Sequence, residues 1–123
     1  MAVRSYRDLI AWQRAMDVAQ LVYEVSRACP KEERFGIVSQ MRRSATSIPS
    51  NIAEGQGRKS TREFLRFLSI AHGSLCEMET QVDLAGRLGI LNGPEVTQVL
   101  DASAEVGRLV NGLYNSLQTT AGV

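Results

Sequence analysis

Histidine occurs once, cysteine twice and proline three times in a chain of 123 residues. A single histidine leaves no conventional histidine network for acid–base or nucleophilic catalysis. The acids Glu77, Glu79 and Asp83 form no pairing around a recognisable cleft, and Glu79 and Asp83, four residues apart, read as a solvated or subunit-facing edge. The expectation is a protein that is not an enzyme and uses no cofactor. Cys29 and Cys76 lack metal-ligand spacing, and a chain of this length can stabilise itself by burial without a disulfide, so the cytoplasm is the expected compartment. Long apolar runs are missing, and the opening MAVRSYRDLIAW passes from helical periodicity into charge, unlike a signal peptide, so no membrane association is expected. Low-complexity stretches and internal repeats are missing too.

With prolines only at Pro30, Pro49 and Pro94, helices have room to run, and the length predicts one domain over residues 1–123. The first helix is predicted over residues 6 to about 27. Its polar residues Gln13, Asp17, Gln20, Glu24 and Arg27 occupy a strip roughly 80° wide at 100° per residue. Trp12, Met16, Ala19 and Tyr23 flank the strip on one side, and Ala11, Ala15, Val18, Val22 and Val25 continue round the other. That apolar circumference exceeds what a lone small bundle buries, which predicts a second subunit against this helix.

Lys31, Glu32 and Glu33 can open a second helix whose apolar set is Phe35, Val38, Met41, Ala45, Ile48 and Ile52. Pro49 falls inside it, predicting a kink, with Ser44, Thr46, Ser47, Ser50 and Asn51 available to bond the freed backbone groups. Within the motif Ser47, Ile48, Pro49, Ser50, Asn51, Ile52, the isoleucines read as core anchors, and Asn51 and Glu54 as polar groups placed beside them. Gly55 and Gly57 read as the stop, with positive backbone angles. Ser60 and Glu63 then make a capping-box signature before a long stripe from Phe64 or Leu65 through Leu68, Ala71, Leu75, Met78, Val82 and Ala85, ending at Gly89. Asn92, Pro94 and Glu95 signal a last helix, with Val96, Val99 or Leu100, Ser103, Val106, Val110, Leu113 or Tyr114 and Leu117 inward and residues 118–123 as a frayed tail. The fold class is therefore all-α, an antiparallel up-and-down four-helix bundle with its second helix kinked near Pro49. Gly36, Gly73, Gly86, Gly107 and Gly112 fall inside the helical pattern, where close helix approach is the expected compensation for their poor propensity.

Charge is where function can be sought. The net charge is +1, yet residues 1–66 hold twelve Lys or Arg against seven Asp or Glu, and residues 67–123 hold two against six. Arg42 and Arg43 precede the kink; Arg58, Lys59, Arg62 and Arg66 follow the glycines. With hydroxyls nearby and the open amides of a helix start, this set predicts phosphate-backbone contact, RNA or DNA, repeated round an oligomer. Pairing of the same cations with Glu54, Glu63 and the acidic half, Arg43 being partly buried, is the alternative, as is an acidic protein partner. Aromatics are not interleaved with the set, so sequence-specific reading of RNA is not expected. GQGRKS lacks the glycines, the GK[ST] ending and the preceding strand of a phosphate loop. His72, Cys76 and Glu79 share a helical face, but ligands from one helix beside Ala71, Leu75 and Met78 read as a packed seam, and no metal site is assigned.

Taken together, YRDLIAWQRAM, QMRRSATSIPSNIAEGQGRKS and EFLRFLSIAHGSLCEMETQVDLAGRLG resemble the 23S rRNA intervening-sequence protein family, the S23-like four-helix bundle proteins. The resemblance covers residues 6 to about 117. It implies a four-helix protomer assembled as a ring, commonly a homopentamer, and gives no warrant for catalysis or a cofactor. The family in turn resembles the accessory subunit of diversity-generating retroelements, a basic pentameric barrel that engages reverse transcriptase and nucleic acid. The near-neutral charge here departs from that accessory type.

Overall fold

A computed structural model describes residues 5–120. Four helices carry the fold: α1 (Ile10–Ser26), α2 (Ile37–Gly57), α3 (Thr61–Arg87) and α4 (Gly93–Thr120). Each packs against its neighbours in the chain, and α4 closes the circuit against α1, so the order round the bundle is the order in the sequence. No strand is found among the described residues. The core runs down the common axis, with Ala15, Val22, Met41, Ala45, Ile48, Ile52, Leu68, Ala71, Met78, Val82, Val99 and Val106 sealed from solvent. These are the inward stripes that a 3.6-residue period selects.

Two helices begin later than their periodicity predicts. Ser5 and Asp8 form a reciprocal capping box round a single 3-10 turn at Tyr6–Asp8, and Leu9 is extended, so α1 starts at Ile10. Lys31–Glu33 is another 3-10 turn, and Gly36, with φ −109° and ψ −117°, separates it from α2. Phe35 therefore lies outside α2 and is 92% exposed, not part of its apolar stripe. Both segments have helix-like composition, but each closes through i→i+3 bonds that go no further.

Pro49 is buried inside a continuous α2. Its missing N–H removes the ladder bond to the Ala45 carbonyl. Around that gap Thr46 Oγ1 donates to the carbonyls of Arg42 and Arg43, Ser50 Oγ to Thr46, and Asn51 Nδ2 to Ser47 at 2.8 Å. These bonds flank Ala45 on both sides. Ser47 also meets Ser74 Oγ at 2.8 Å and Ser44 donates to Gln81 at 2.7 Å, so the polar side of α2 is tied to α3.

α2 does end at Gly57, but not through positive backbone angles: Gly55 and Gly57 belong to its last turn, and the only glycine with positive φ among the described residues is Gly89. Gly55 is there because α3 is close, since a Cβ at this position would stand 2.7 Å from Phe67 Cβ. Gly86 shows similar crowding, 2.8 Å from Val96 Cγ2, and Gly107 a milder one, 3.3 Å from the end of Leu75, whereas Gly73 and Gly112 face open space. Gly89, at φ +74°, ends α3 as expected, with Ile90 N donating to Ala85 O and Gly89 N to Gly86 O in a Schellman closure. Asn92 and Glu95 form the predicted capping box in full. Ser60 caps Glu63 N, but the Glu63 carboxylate turns to Arg66. At the other end α4 continues through Thr120, so residues 118–120 are helical and not a frayed tail, while 121–123 lie outside the described residues. Glu79, expected on an outer edge, instead accepts a 2.5 Å bond from the fully buried Ser103 on α4.

Candidate nucleic-acid interface

The six basic residues singled out in the sequence fall into two groups, Arg42 and Arg43 on α2 and Arg58, Lys59, Arg62 and Arg66 where α2 gives way to α3. Sixteen residues of helix at about 1.5 Å each put Arg42 and Arg58 about 24 Å apart along the axis. A single continuous patch is therefore not formed within one protomer.

At the α2–α3 junction, Phe67 organises the cations. Its ring is 6% exposed, and the guanidiniums of Arg58 and Arg66 lie 4.9 and 4.8 Å from its centroid. Such cation–π contacts, each about 0.5–1 kcal/mol at exposed sites, restrain side chains that would otherwise sample many rotamers. Arg58 also bonds Glu54 at 2.7 Å, and Arg66 bonds Glu63 at 3.1 Å. Lys59 and Arg62 are exposed and have no carboxylate partner among the described residues. Four cations face two carboxylates here, so the junction stays positive. Both ion pairs are about half exposed and contribute little to stability. A groove of about 360 Å³ beside Arg62 and Arg66 is completed by Tyr114 and Gln118 of α4.

The second group behaves differently. Arg42, not Arg43, is the half-buried member: its Nε donates to Ser26 Oγ at 2.8 Å and its guanidinium lies 4.6 Å from the Tyr23 ring centroid. Arg43 is exposed and lines a shallow groove with Ser44, Ser47, Glu77 and Gln81.

Phe67, Tyr23 and Tyr114 were not legible as parts of these clusters: Phe67 follows Arg66 directly but meets Arg58 from another element, and Tyr23 and Tyr114 meet Arg42 and the Arg62–Arg66 groove from other helices. The rings of Phe67 and Tyr23 hold guanidiniums and so leave base stacking without a free platform there. The antiparallel run of α3 and α4 is the one signal that could have placed Tyr114 beside Arg66. His72 Nδ1 and Cys76 Sγ stand 3.9 Å apart on the outside of α3, and no group of three or more metal-binding side chains occurs among the described residues.

On the face between α1 and α2, Tyr6, Trp12, Met16, Tyr23, Pro49 and Ala53 line an open, mainly apolar groove of about 460 Å³. This is the flank of α1 that the bundle leaves uncovered, with Met16 and Tyr23 well exposed. Among the described residues no helix is long and apolar enough to cross a membrane.

The same four-helix arrangement is found in a crystallised protein of unknown function from the S23 ribosomal protein family of Bacteroides thetaiotaomicron. The two superpose with a TM-score of 0.80 at 22% identity over 86% of this chain and 96% of that one. At that identity the likeness speaks for the fold. No curated protein matches. The sequence profile described as 23S rRNA-intervening sequence protein matches residues 7–112, most of the helical core and both basic clusters included, and the chain therefore belongs to that family.

Proposed function

We propose that this chain is a non-enzymatic, oligomeric bundle that binds the nucleic-acid backbone through basic residues repeated round the assembly. The observation that carries the reading is the α2–α3 junction, where Phe67 holds Arg58 and Arg66, and Lys59 and Arg62 have no carboxylate partner among the described residues. Cations fixed in this way suit a regular row of phosphates and carry no base preference. One protomer offers a small footprint, and a ring of five multiplies it. The uncovered apolar groove of α1 and α2 supports assembly, since a monomer gains nothing from leaving Trp12, Met16 and Tyr23 in contact with water. That groove also favours a second reading, in which the protein is a scaffold for a protein partner and binds no nucleic acid.

Fluorescence anisotropy of labelled RNA and DNA, duplex and single-stranded, at two salt concentrations tests the proposal, with oligomer mass followed by light scattering. Saturable binding is expected that weakens with salt. A variant carrying R58Q, K59Q and R62Q should keep its mass and lose about one unit of the log–log salt slope for each phosphate contact removed. No binding at low salt by an intact oligomer refutes the nucleic-acid reading and leaves the scaffold.

A further inference from the structure

Three cations of the connection between α1 and α2 have no part in the reading above. Arg27, Lys31 and Arg34 line, together with Arg42, Ser26 and Cys29, a concavity of about 310 Å³ where α1 ends and α2 begins. None of these four cations has a carboxylate within ion-pair distance among the described residues; the ion pairs present there involve Arg14, Arg58 and Arg66. Four cations without a bonded carboxylate round one small hollow repel each other, and an anion seated among them relieves that repulsion.

No carboxylate lines the cleft, although Glu24, Glu32 and Glu33 alternate with these cations in the chain. Glu33 and Glu95 act on Cys29, and the Glu95 carboxylate is already bonded to Asn92 N at 2.9 Å. The C-terminal end of α1 adds about half a unit of negative charge. Arg42 is held in place by its Nε bond to Ser26 and by the Tyr23 ring, which leaves its two terminal nitrogens for a ligand. Planar guanidinium forks converging with a lysine fit a tetrahedral oxyanion better than a carboxylate or a halide. The volume lies at the lower limit for ligand sites, so the group bound is small.

We infer that this cleft binds a compact phosphate group, a phosphate monoester or a diphosphate, gripped by Arg27, Lys31, Arg34 and Arg42. Its source is either a free phosphorylated small molecule or the terminal phosphate of a strand. Cys29 takes no covalent part. Its Sγ is 3.7 Å from Ile90 O, and burial first, then Glu95 and Glu33, push the thiol up against the opposing influence of Arg42. It stays protonated and is a poor nucleophile. The site shares only Arg42 with the proposed backbone contacts and sits toward the other end of α2 from the junction, so each can fail without the other.

The test is calorimetric titration of the full-length protein with inorganic pyrophosphate, and with short single strands identical except for a 5′-phosphate or 5′-hydroxyl. The expected result is saturation at one ligand per protomer, weakened at least tenfold by K31Q combined with R34Q. Both side chains are exposed, and circular dichroism checks that the fold is kept. The R58Q, K59Q and R62Q variant should leave pyrophosphate affinity unchanged. Pyrophosphate binding with no preference between the two strands assigns the site to a small molecule; a preference for the 5′-phosphate, lost in the double variant, assigns it to strand ends. The inference is overturned by absence of pyrophosphate binding together with equal affinity for the two strands. Binding that the double variant leaves intact overturns it as well.

Discussion

Replacing Gly55 with alanine adds one carbon where α2 and α3 are closest. That carbon would stand 2.7 Å from Phe67 Cβ, 3.0 Å from Phe64 Cδ1 and 3.4 Å from Phe64 O. Carbon atoms pack best at about 3.5–4.0 Å, so the helices have to part by about 1 Å or the rings must turn. Phe67 Cβ is attached to the backbone and cannot swing aside. Overpacking of this kind costs about 1–3 kcal/mol, while alanine in a helix returns about 1 kcal/mol of propensity. Gly73 isolates the two effects, because a Cβ there meets nothing within 4 Å and alanine brings only the propensity gain. For a chain of this size 1 kcal/mol is about 3–5 °C in Tm, so an overpacking cost of about 2 kcal/mol separates the two variants by about 6–10 °C. Thermal and urea denaturation by circular dichroism, at one fixed protomer concentration, measures the gap. A Gly55→Ala protein as stable as Gly73→Ala refutes the close-approach account of this glycine. Displacement of Phe67 also loosens Arg58 and Arg66, so the variant should bind nucleic acid more weakly if the junction is the interface.

Two further predictions concern single side chains. Asn51→Leu removes the bonds to Ser47 O and Ser47 Oγ beside Pro49 and should cost about 1–2 kcal/mol in urea unfolding; unchanged stability and unchanged assembly would show that the amide does not support the proline turn. Cys76 should react with a maleimide at neutral pH well before Cys29, because Cys76 is exposed whereas burial raises the Cys29 thiol; equal rates would contradict that assignment. A folded-state value above the unfolded one favours the fold fully below the ordinary thiol pKa, and the contribution is lost as pH rises through the raised value.

Helix order and the inward stripes were legible because Val, Leu, Ile, Met and Ala recur at helical spacing from residue 11 to residue 110, and the turn at Gly89 and the box at Asn92 carry unambiguous local chemistry. Where local chemistry and tertiary contact disagree, the sequence misleads. Gly55, followed by another glycine and by charge, has every mark of a helix stop, and only Phe67 on a different helix explains why it sits in one. Phe35 has the spacing of a core residue but precedes the break at Gly36. The basic residues show the same limit. Arg42 and Arg58 are near neighbours in composition and far apart along a rigid rod, whereas Arg27, Lys31 and Arg34 gather with Arg42 because α1 ends against the start of α2.

Pro49 has a consequence for the order in which the chain folds. Proline inside a helix costs about 3 kcal/mol and each glycine about 1 kcal/mol relative to alanine, and α2 contains Pro49, Gly55 and Gly57. A free helix of this length is marginal even with the best residues. As an isolated peptide α2 should be coil, while α3, longer and free of proline, keeps some helix. The bonds from Ser44 and Ser47 to Gln81 and Ser74, and the contact of Gly55 with Phe67, exist only once α3 is present to receive them. The second helix should therefore form on the third as on a template, and helix signal from α2 is expected to appear in refolding together with that pairing and not before it.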